Sequence, residues 1–227
     1  MDWTSLADEQ RARYEQQHGE PDERALVRRG NAAYAAGLAL LMAGDGDAPD
    51  WFTRAAARWR ESWDAAPPHD AWGRPIGALK AALLARDDAA VEELAGWTLE
   101  LGTATASSPI GRYAAALALL ALGRWAEARH VAESLRELGD FPHELAEALA
   151  FVAAHDPIAY LEAVESVVGS FEARTEYLEN VPVADTALVL AELARRRGIA
   201  QELPESALLP SVNRPSRPAR TPDETRP

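Results

Sequence analysis

The chain has 227 residues and a mass of 24.6 kDa, enough to bury a hydrophobic core without disulfides or metals. It contains no cysteine, which excludes disulfides, thiol nucleophiles, iron–sulfur clusters and thiolate zinc sites. Its 23 basic and 36 acidic residues give a net charge of −13, so nucleic acid and anionic membranes are poor partners.

The N-terminal segment is acidic and polar, and it lacks the apolar run that follows the basic start of a signal peptide. The longest apolar runs reach only about half of the roughly 18 to 20 residues that a membrane span needs. We therefore expect a soluble, cytoplasmic protein.

Turn and cap signals divide the chain into ten segments with helical periodicity, and none alternates with a period of two. The first helix is predicted over about 5–18, with Ser5 as its N-cap. The second is predicted over 22–43 and ends at a turn of glycine and aspartate. The third is predicted over 50–64, capped by its first residue, and the double proline at 67–68 stops it.

The middle of the chain predicts four more helices. The fourth is capped by Asp70, and the fifth follows the acidic corner that begins at Asp87. The sixth begins at Pro109, because proline is favoured at the first helical position. Its apolar residues cover a wide arc, so we expect it to be central. Gly123 ends it, and Trp125 opens the seventh.

The last three helices complete the pattern. The eighth is predicted over 142–154. The ninth begins at Pro157 and is expected to continue to about Asn180. The tenth is predicted over about 183–197, and its three final arginines followed by Gly198 are typical of a helix C-terminus.

The composition changes after residue 210. Residues 211–227 contain 4 prolines in 17 residues, no aromatic residue and a net charge of +2. Such a segment buries too little surface to fold, so we predict a disordered tail. The remaining 1–210 are predicted to form a single all-α domain of nine or ten helices in antiparallel hairpins.

One predicted hairpin has a recognisable sequence. The segment 122–128, together with Ala132 and Leu135, resembles the helix-turn-helix core of a tetratricopeptide repeat. It has glycine at the corner, an aromatic residue two positions later and alanine three after that. The period of about 34 residues that defines such repeats does not recur elsewhere. We therefore expect an irregular arrangement, either a tetratricopeptide-like solenoid or a closed bundle.

Two Glu-x-x-His pairs, Glu15 with His18 and Glu127 with His130, match part of the pattern of helical di-metal sites. Helical phase places Glu127 and His130 off the core face of the seventh helix, so we interpret both pairs as solvated. The sequence also lacks a serine-nucleophile elbow, a P-loop and a dinucleotide-binding glycine motif. We expect a non-enzymatic protein without metal or cofactor; a metal-dependent helical enzyme is the less favoured alternative.

The seven tryptophans are candidates for core packing or for partner binding. Trp59, Trp63 and Trp72 recur at helical spacing and are predicted to lie in the core. Trp51 and Trp97 fall less clearly on a core face and are candidates for exposure. An exposed tryptophan would be a candidate binding hot spot.

Five carboxylates follow the apolar stripe of the predicted ninth helix. If that helix continues past Gly169, they form a ridge about 26 Å long. The ridge is either a solvated face or a surface for a basic protein partner. Its members are Glu162, Glu165, Glu172, Glu176 and Glu179.

The end of the predicted domain resembles the C-terminal signature of the immunity protein 49 family. The apolar helix at 187–194 leads into Arg-Gly-Ile at 197–199, and Glu-Ser-Ala-Leu-Leu-Pro follows at 205–210. The alanine- and leucine-rich segment 78–95 resembles the middle of the same family. The resemblance implies a non-enzymatic, all-helical protein that binds and neutralises a toxin. The alternative is a generic tetratricopeptide-like scaffold with another partner.

Overall fold

The computed structural model describes residues 1–16, 22–66, 71–200 and 202–211. Over these residues the chain forms ten α-helices and two short 3₁₀ turns, at Thr103–Thr105 and Leu178–Asn180, and no β-strand. The all-α fold class is therefore confirmed. The helices are α1 (Trp3–Glu15), α2 (Glu23–Ala43), α3 (Ala48–Ala65), α4 (Gly73–Ala85), α5 (Asp88–Glu100), α6 (Pro109–Ala121), α7 (Trp125–Arg136), α8 (His143–Ala154), α9 (Pro157–Glu172) and α10 (Asp185–Arg197).

Local side-chain caps explain where four of the helices begin. The side chains of Asp22, Asp87 and Asp156 each accept the backbone N–H of the residue three positions later. Ser108 does the same for α6, with Pro109 at the first helical position. Each cap satisfies a backbone donor that the first turn of a helix leaves free.

Two predicted caps are wrong. The N-cap of α1 is Asp2, whose carboxylate accepts both the N–H of Ser5 (3.1 Å) and its hydroxyl (2.8 Å). These hydrogen bonds lower the pKa of Asp2. Helix α3 begins at Ala48, so Asp50 lies inside its first turn. The predicted cap Asp70 and the double proline before it lie outside the described residues.

The helices pack as consecutive hairpins that the last helix closes. Each helix contacts the next along the chain, and α10 also returns to α4, α6 and α8. In a simple solenoid each repeat contacts only its neighbours, so these returns distinguish the fold from an open array. Every residue from Tyr113 to Leu120 is buried, which confirms that α6 is central. At the corner between α6 and α7, Gly123 has a φ of 70°, a conformation that favours glycine.

Two glycines allow Trp59 to pack between α2 and α4. A β-carbon built at Gly30 would lie 2.7 Å from the indole nitrogen, and one at Gly77 would lie 2.9 Å from the ring. Trp59 and Trp63 are buried, as predicted. Trp72 is half-buried and stacks on Trp63 with ring centroids 6.2 Å apart. The packing of Trp59 therefore depends on glycines, which let the backbones of α2 and α4 come close to its indole ring.

The segment after α10 folds back on the helices. The N–H of Ala184 donates to the carbonyl of Leu208 (3.0 Å), and the side chain of Leu209 is buried. The hydroxyl of Ser206 donates to the carboxylate of Glu172 (2.7 Å). The segment that carries the family resemblance thus docks against the end of α9 and the start of α10.

Of the predicted tail 211–227, only Ser211 is described, and it is exposed. The rest of the tail lies outside the described residues. Within the described part of the chain, no helix combines the length and the apolar character that crossing a membrane requires.

Candidate functional site

Helix α9 is shorter than the sequence predicts. It ends at Glu172 and does not continue to Asn180. The hydroxyl of Tyr177 donates to the carbonyl of Phe171 (2.7 Å), occupying an acceptor at the end of the helix. Beyond it, Glu179 and Asn180 have positive φ angles of 51° and 61°, so the backbone turns away from the helix axis. The predicted continuous ridge of five carboxylates is therefore wrong.

Three of the five carboxylates do share one face of α9. Glu162, Glu165 and Glu172 are exposed. The first two are three residues apart along the helix and the last two are seven apart, with Gly169 between the last two. Ile158, at the start of the same face, is 74% exposed. None of the ion pairs among the described residues includes Glu162 or Glu165. We call these five residues the outward face of α9.

The other two predicted ridge residues lie elsewhere. Glu176 is exposed in the loop after α9. Glu179 lies in the following 3₁₀ turn, where its carboxylate is 2.5 Å from the guanidinium of Arg13. The backbone carbonyl of Glu179 also accepts a hydrogen bond from Gln10. Glu179 therefore helps to attach α1 and is not part of the outward face.

The expected exposure of Trp51 and Trp97 is wrong, because each side chain is only 8% exposed. Arginines on α3 cover both rings: the guanidinium of Arg54 lies 4.7 Å from the Trp51 ring centroid, and that of Arg60 lies 4.2 Å from Trp97. The edge of Tyr14 also meets Trp51, with ring centroids 5.5 Å apart. Both tryptophans therefore pack helices together beneath cationic side chains, an arrangement that favours burial.

A polar cluster that the sequence analysis missed joins α2, α4 and α10. The ammonium of Lys80 lies 2.5 Å from Asp185 Oδ2 and 3.2 Å from the hydroxyl of Thr186. The hydroxyl of Tyr34 donates to the same Asp185 oxygen at 2.9 Å. Burial, and then the charge and hydrogen bond of Asp185, raise the pKa of Tyr34 well above its usual range. Lys80 is the chain's only lysine, the single sequence signal that could have marked it.

A groove of about 370 Å³ opens beside this cluster, between α2, α4 and the 3₁₀ turn before α10. Lys80 and Asp185 line it, together with Asn31 of α2. The side-chain oxygen of Asn31 accepts a hydrogen bond from the indole nitrogen of Trp59 (3.2 Å), which fixes the orientation of the amide. The apolar walls are formed by Val27, Trp59, Ile76 and Leu178.

A second cleft, of about 720 Å³, lies where α2, α4 and α10 meet the C-terminal segment. On its wall, the buried carboxylate of Glu192 bonds Arg195 (2.7 Å) and Arg196 (3.1 Å) and lies 3.3 Å from Arg86. Burial raises the pKa of Glu192, but the hydrogen bonds of Arg195 and the charges of the three arginines outweigh it, so the net pKa is lowered. This network ties α10 to the end of α4.

The side chains of the Glu-x-x-His pairs that the structure describes do not converge on a shared metal site. The carboxylate of Glu127 forms two hydrogen bonds with the guanidinium of Arg124, at 2.6 and 2.8 Å, which lower the pKa of Glu127. His130 is exposed, and His18 lies outside the described residues. Across the described ranges, no three acidic, histidine or cysteine side chains come together in a way that would hold a metal ion.

Comparison of the chain with models of protein families found no match, and no similar curated protein or solved structure was found.

Proposed function

We propose that the chain is a non-enzymatic protein-binding module that binds a basic partner on the outward face of α9. The resemblance to the immunity protein 49 family supports a toxin as that partner, with neutralisation as the role. The observation that carries the proposal is the pair Glu162 and Glu165, exposed carboxylates without an ion-pair partner among the described residues. The apolar side chain of Ile158 stands on the same face, 74% exposed.

Gly169 is a second feature of this face that intramolecular packing does not explain. It lies inside α9, where glycine is about 0.5–1 kcal/mol less favourable than alanine. A β-carbon built on it meets no described atom within 4 Å, so no neighbouring helix requires its absence. A bare backbone at this point lets a partner approach α9 closely, between Glu165 and Glu172.

Charge supports a basic partner over an acidic or neutral one. The chain carries a net charge of −13, and the carboxylates on this face add a local negative potential. Such a potential mainly accelerates association with an oppositely charged protein and depends on ionic strength. Electrostatic steering would therefore speed the capture of a basic toxin.

A generic scaffold is the second candidate, supported by the tetratricopeptide-like corner at Gly123. Genomic context separates the two: a toxin gene beside the gene for this chain favours neutralisation. Expressing the recovered partner with and without this chain separates them directly. A partner that leaves growth unchanged when expressed alone would contradict the toxin assignment.

The binding face itself is tested by reversing its charge. We expect Glu162→Arg combined with Glu165→Arg to slow association with the partner about tenfold at low salt, because both changes invert the steering field. The matched control reverses Glu92 and Glu93, which are also exposed but lie on α5. The measurement is the association rate against ionic strength for wild type and both variants. Equal rates for the α9 variant and wild type at low salt would reject this face.

A further inference from the structure

We propose that the groove beside Lys80 binds a small monocarboxylate whose apolar body is about the size of one ring. The groove shares no residue with the outward face of α9, so this site is independent of the protein-binding proposal. The groove lies beside α2, α4 and the start of α10, the three helices that Tyr34, Lys80 and Asp185 hold together.

The volume of the groove and the side chains that line it determine the size and the apolar character of the ligand. Its volume of about 370 Å³ lies near the lower end of the range for small-molecule sites, roughly 300–1,000 Å³. Three of its apolar side chains, Val27, Ile76 and Leu178, are only partly covered by the protein itself. The buried indole of Trp59 closes one part of the wall. These walls fit a single ring or a short alkyl chain.

The side chains of Lys80 and Asn31 have hydrogen-bond donors left available in the groove. Asp185 is already satisfied, because Lys80 and Tyr34 both bond its Oδ2 and the hydroxyl of Thr186 bonds its Oδ1. An ammonium has three N–H groups; Asp185 and Thr186 take two from Lys80, and the third remains. Asn31 uses its oxygen for Trp59, so its NH₂ group remains. The ligand must therefore supply acceptors.

The remaining donor of Lys80 favours an ionised acceptor. Lys80 pairs with Asp185, and Arg74 pairs with Glu23 beside the groove, so the preference comes from the ammonium N–H and not from an excess of positive charge. The Arg74 guanidinium is fixed by Glu23 and by the carbonyl oxygens of Ser62 and Ala66. A hydrogen bond from an ammonium to a carboxylate is about twice as strong as one between neutral groups. A carboxylate is thus preferred over the amide of the same shape.

The test uses three acids, phenylacetate, 3-phenylpropionate and hexanoate, each beside its neutral amide. Isothermal titration calorimetry of the full chain should show saturable binding of at least one acid, about tenfold tighter than its amide. Tryptophan fluorescence should change on binding, because Trp59 forms part of the wall. The proposal is overturned if none of the acids binds at concentrations up to about 1 mM, or if an acid and its amide bind equally.

Two glycine variants locate the binding site and leave the buried ion pair of Lys80 and Asp185 in place, and a third variant, Lys80→Gln, removes its cation. Gly73 lines the groove at an exposed position, and a β-carbon there meets no described atom within 4 Å, so the fold should tolerate Gly73→Leu. The added side chain at the groove wall should block binding. Gly96→Leu on α5, at an equally open position, should bind as wild type does. Lys80→Gln should weaken the acid about tenfold while leaving the amide unchanged. Binding that survives Gly73→Leu would place the ligand elsewhere and overturn the assignment.

Discussion

The hydroxyl of Tyr34 lies 2.9 Å from Oδ2 of Asp185 and joins α2 to the first turn of α10 across 151 positions of sequence. Lys80 of α4 contacts the same oxygen, so three helices share one carboxylate. Tyr160 on α9 is buried to the same extent, yet its hydroxyl has no hydrogen-bond partner among the described residues. Two buried tyrosines of one chain thus differ in whether their hydroxyl groups are satisfied.

This difference predicts opposite effects of the same substitution. Tyr34→Phe should lower the free energy of unfolding by about 1–3 kcal/mol, because the carboxylate of Asp185 loses a buried donor. Tyr160→Phe should leave stability unchanged or increase it, because it removes a hydroxyl that burial leaves unpaired. Urea unfolding followed by circular dichroism measures both. Similar losses in the two variants would show that the Tyr160 hydroxyl forms a bond in solution.

The close packing of Trp59 predicts that alanine destabilises α4 at one glycine. Helix propensity alone favours Gly77→Ala, but the new β-carbon would lie 2.9 Å from a buried indole ring. Overpacking of this kind costs about 1–3 kcal/mol, which exceeds the propensity gain of at most about 1 kcal/mol. We therefore expect a lower melting temperature. Gly96→Ala, where no described atom lies within 4 Å, should raise it; a rise in both variants would contradict the packing argument.

Four helix beginnings were predictable because their cause is local, although the equally local cap of α1 by Asp2 was missed. Asp22, Asp87, Ser108 and Asp156 each bond a backbone N–H only three residues away, so the sequence contains both partners of the interaction. The end of α9 has its cause six residues beyond Phe171, in the hydroxyl of Tyr177. Helical periodicity contains no sign of that hydrogen bond, so periodicity alone predicts a longer α9.

The candidate site was less predictable, because its contacts are long-range. Lys80 and Asp185 are 105 positions apart, and Arg60 covers Trp97 from a different helix. The contact of Arg54 with the Trp51 ring could be anticipated from the sequence, since Arg54 lies three residues later on the same helix. A stripe of apolar residues shows which side of a helix is buried. It does not show which long side chains from other helices will cover the margin of that side.

The arginine network around Glu192 predicts a pH dependence. Because the folded state lowers the pKa of Glu192, its stabilising contribution is present above the ordinary glutamate pKa of about 4.3 and is lost as the pH falls through the lowered value. Glu192→Gln should reduce the free energy of unfolding at pH 7 by about 1–2 kcal/mol, since charge-assisted bonds to Arg195 and Arg196 are weakened. The difference from wild type should shrink in acid.

Unfolding by urea between pH 3 and pH 7 measures this difference. Glu127→Gln is the matched control, because Glu127 also has a lowered pKa but pairs with Arg124 in solvent. Its effect on stability should be small, since solvent screens an exposed pair. A Glu192→Gln variant whose difference from wild type is the same at both pH values would contradict the assignment.

Gly169 connects the stability of α9 to its proposed binding face. Gly169→Ala should raise the free energy of unfolding by about 0.5–1 kcal/mol, because the position is exposed, helical and free of contacts within 4 Å among the described atoms. The same β-carbon would occupy the space where a partner approaches the backbone, so binding should weaken while the fold becomes more stable. Gly96→Ala on α5 should give a similar gain in stability with unchanged binding. Calorimetric melting and the partner's dissociation rate separate the two effects. A Gly169→Ala variant that binds as tightly as wild type would show that the bare backbone of α9 plays no part in recognition.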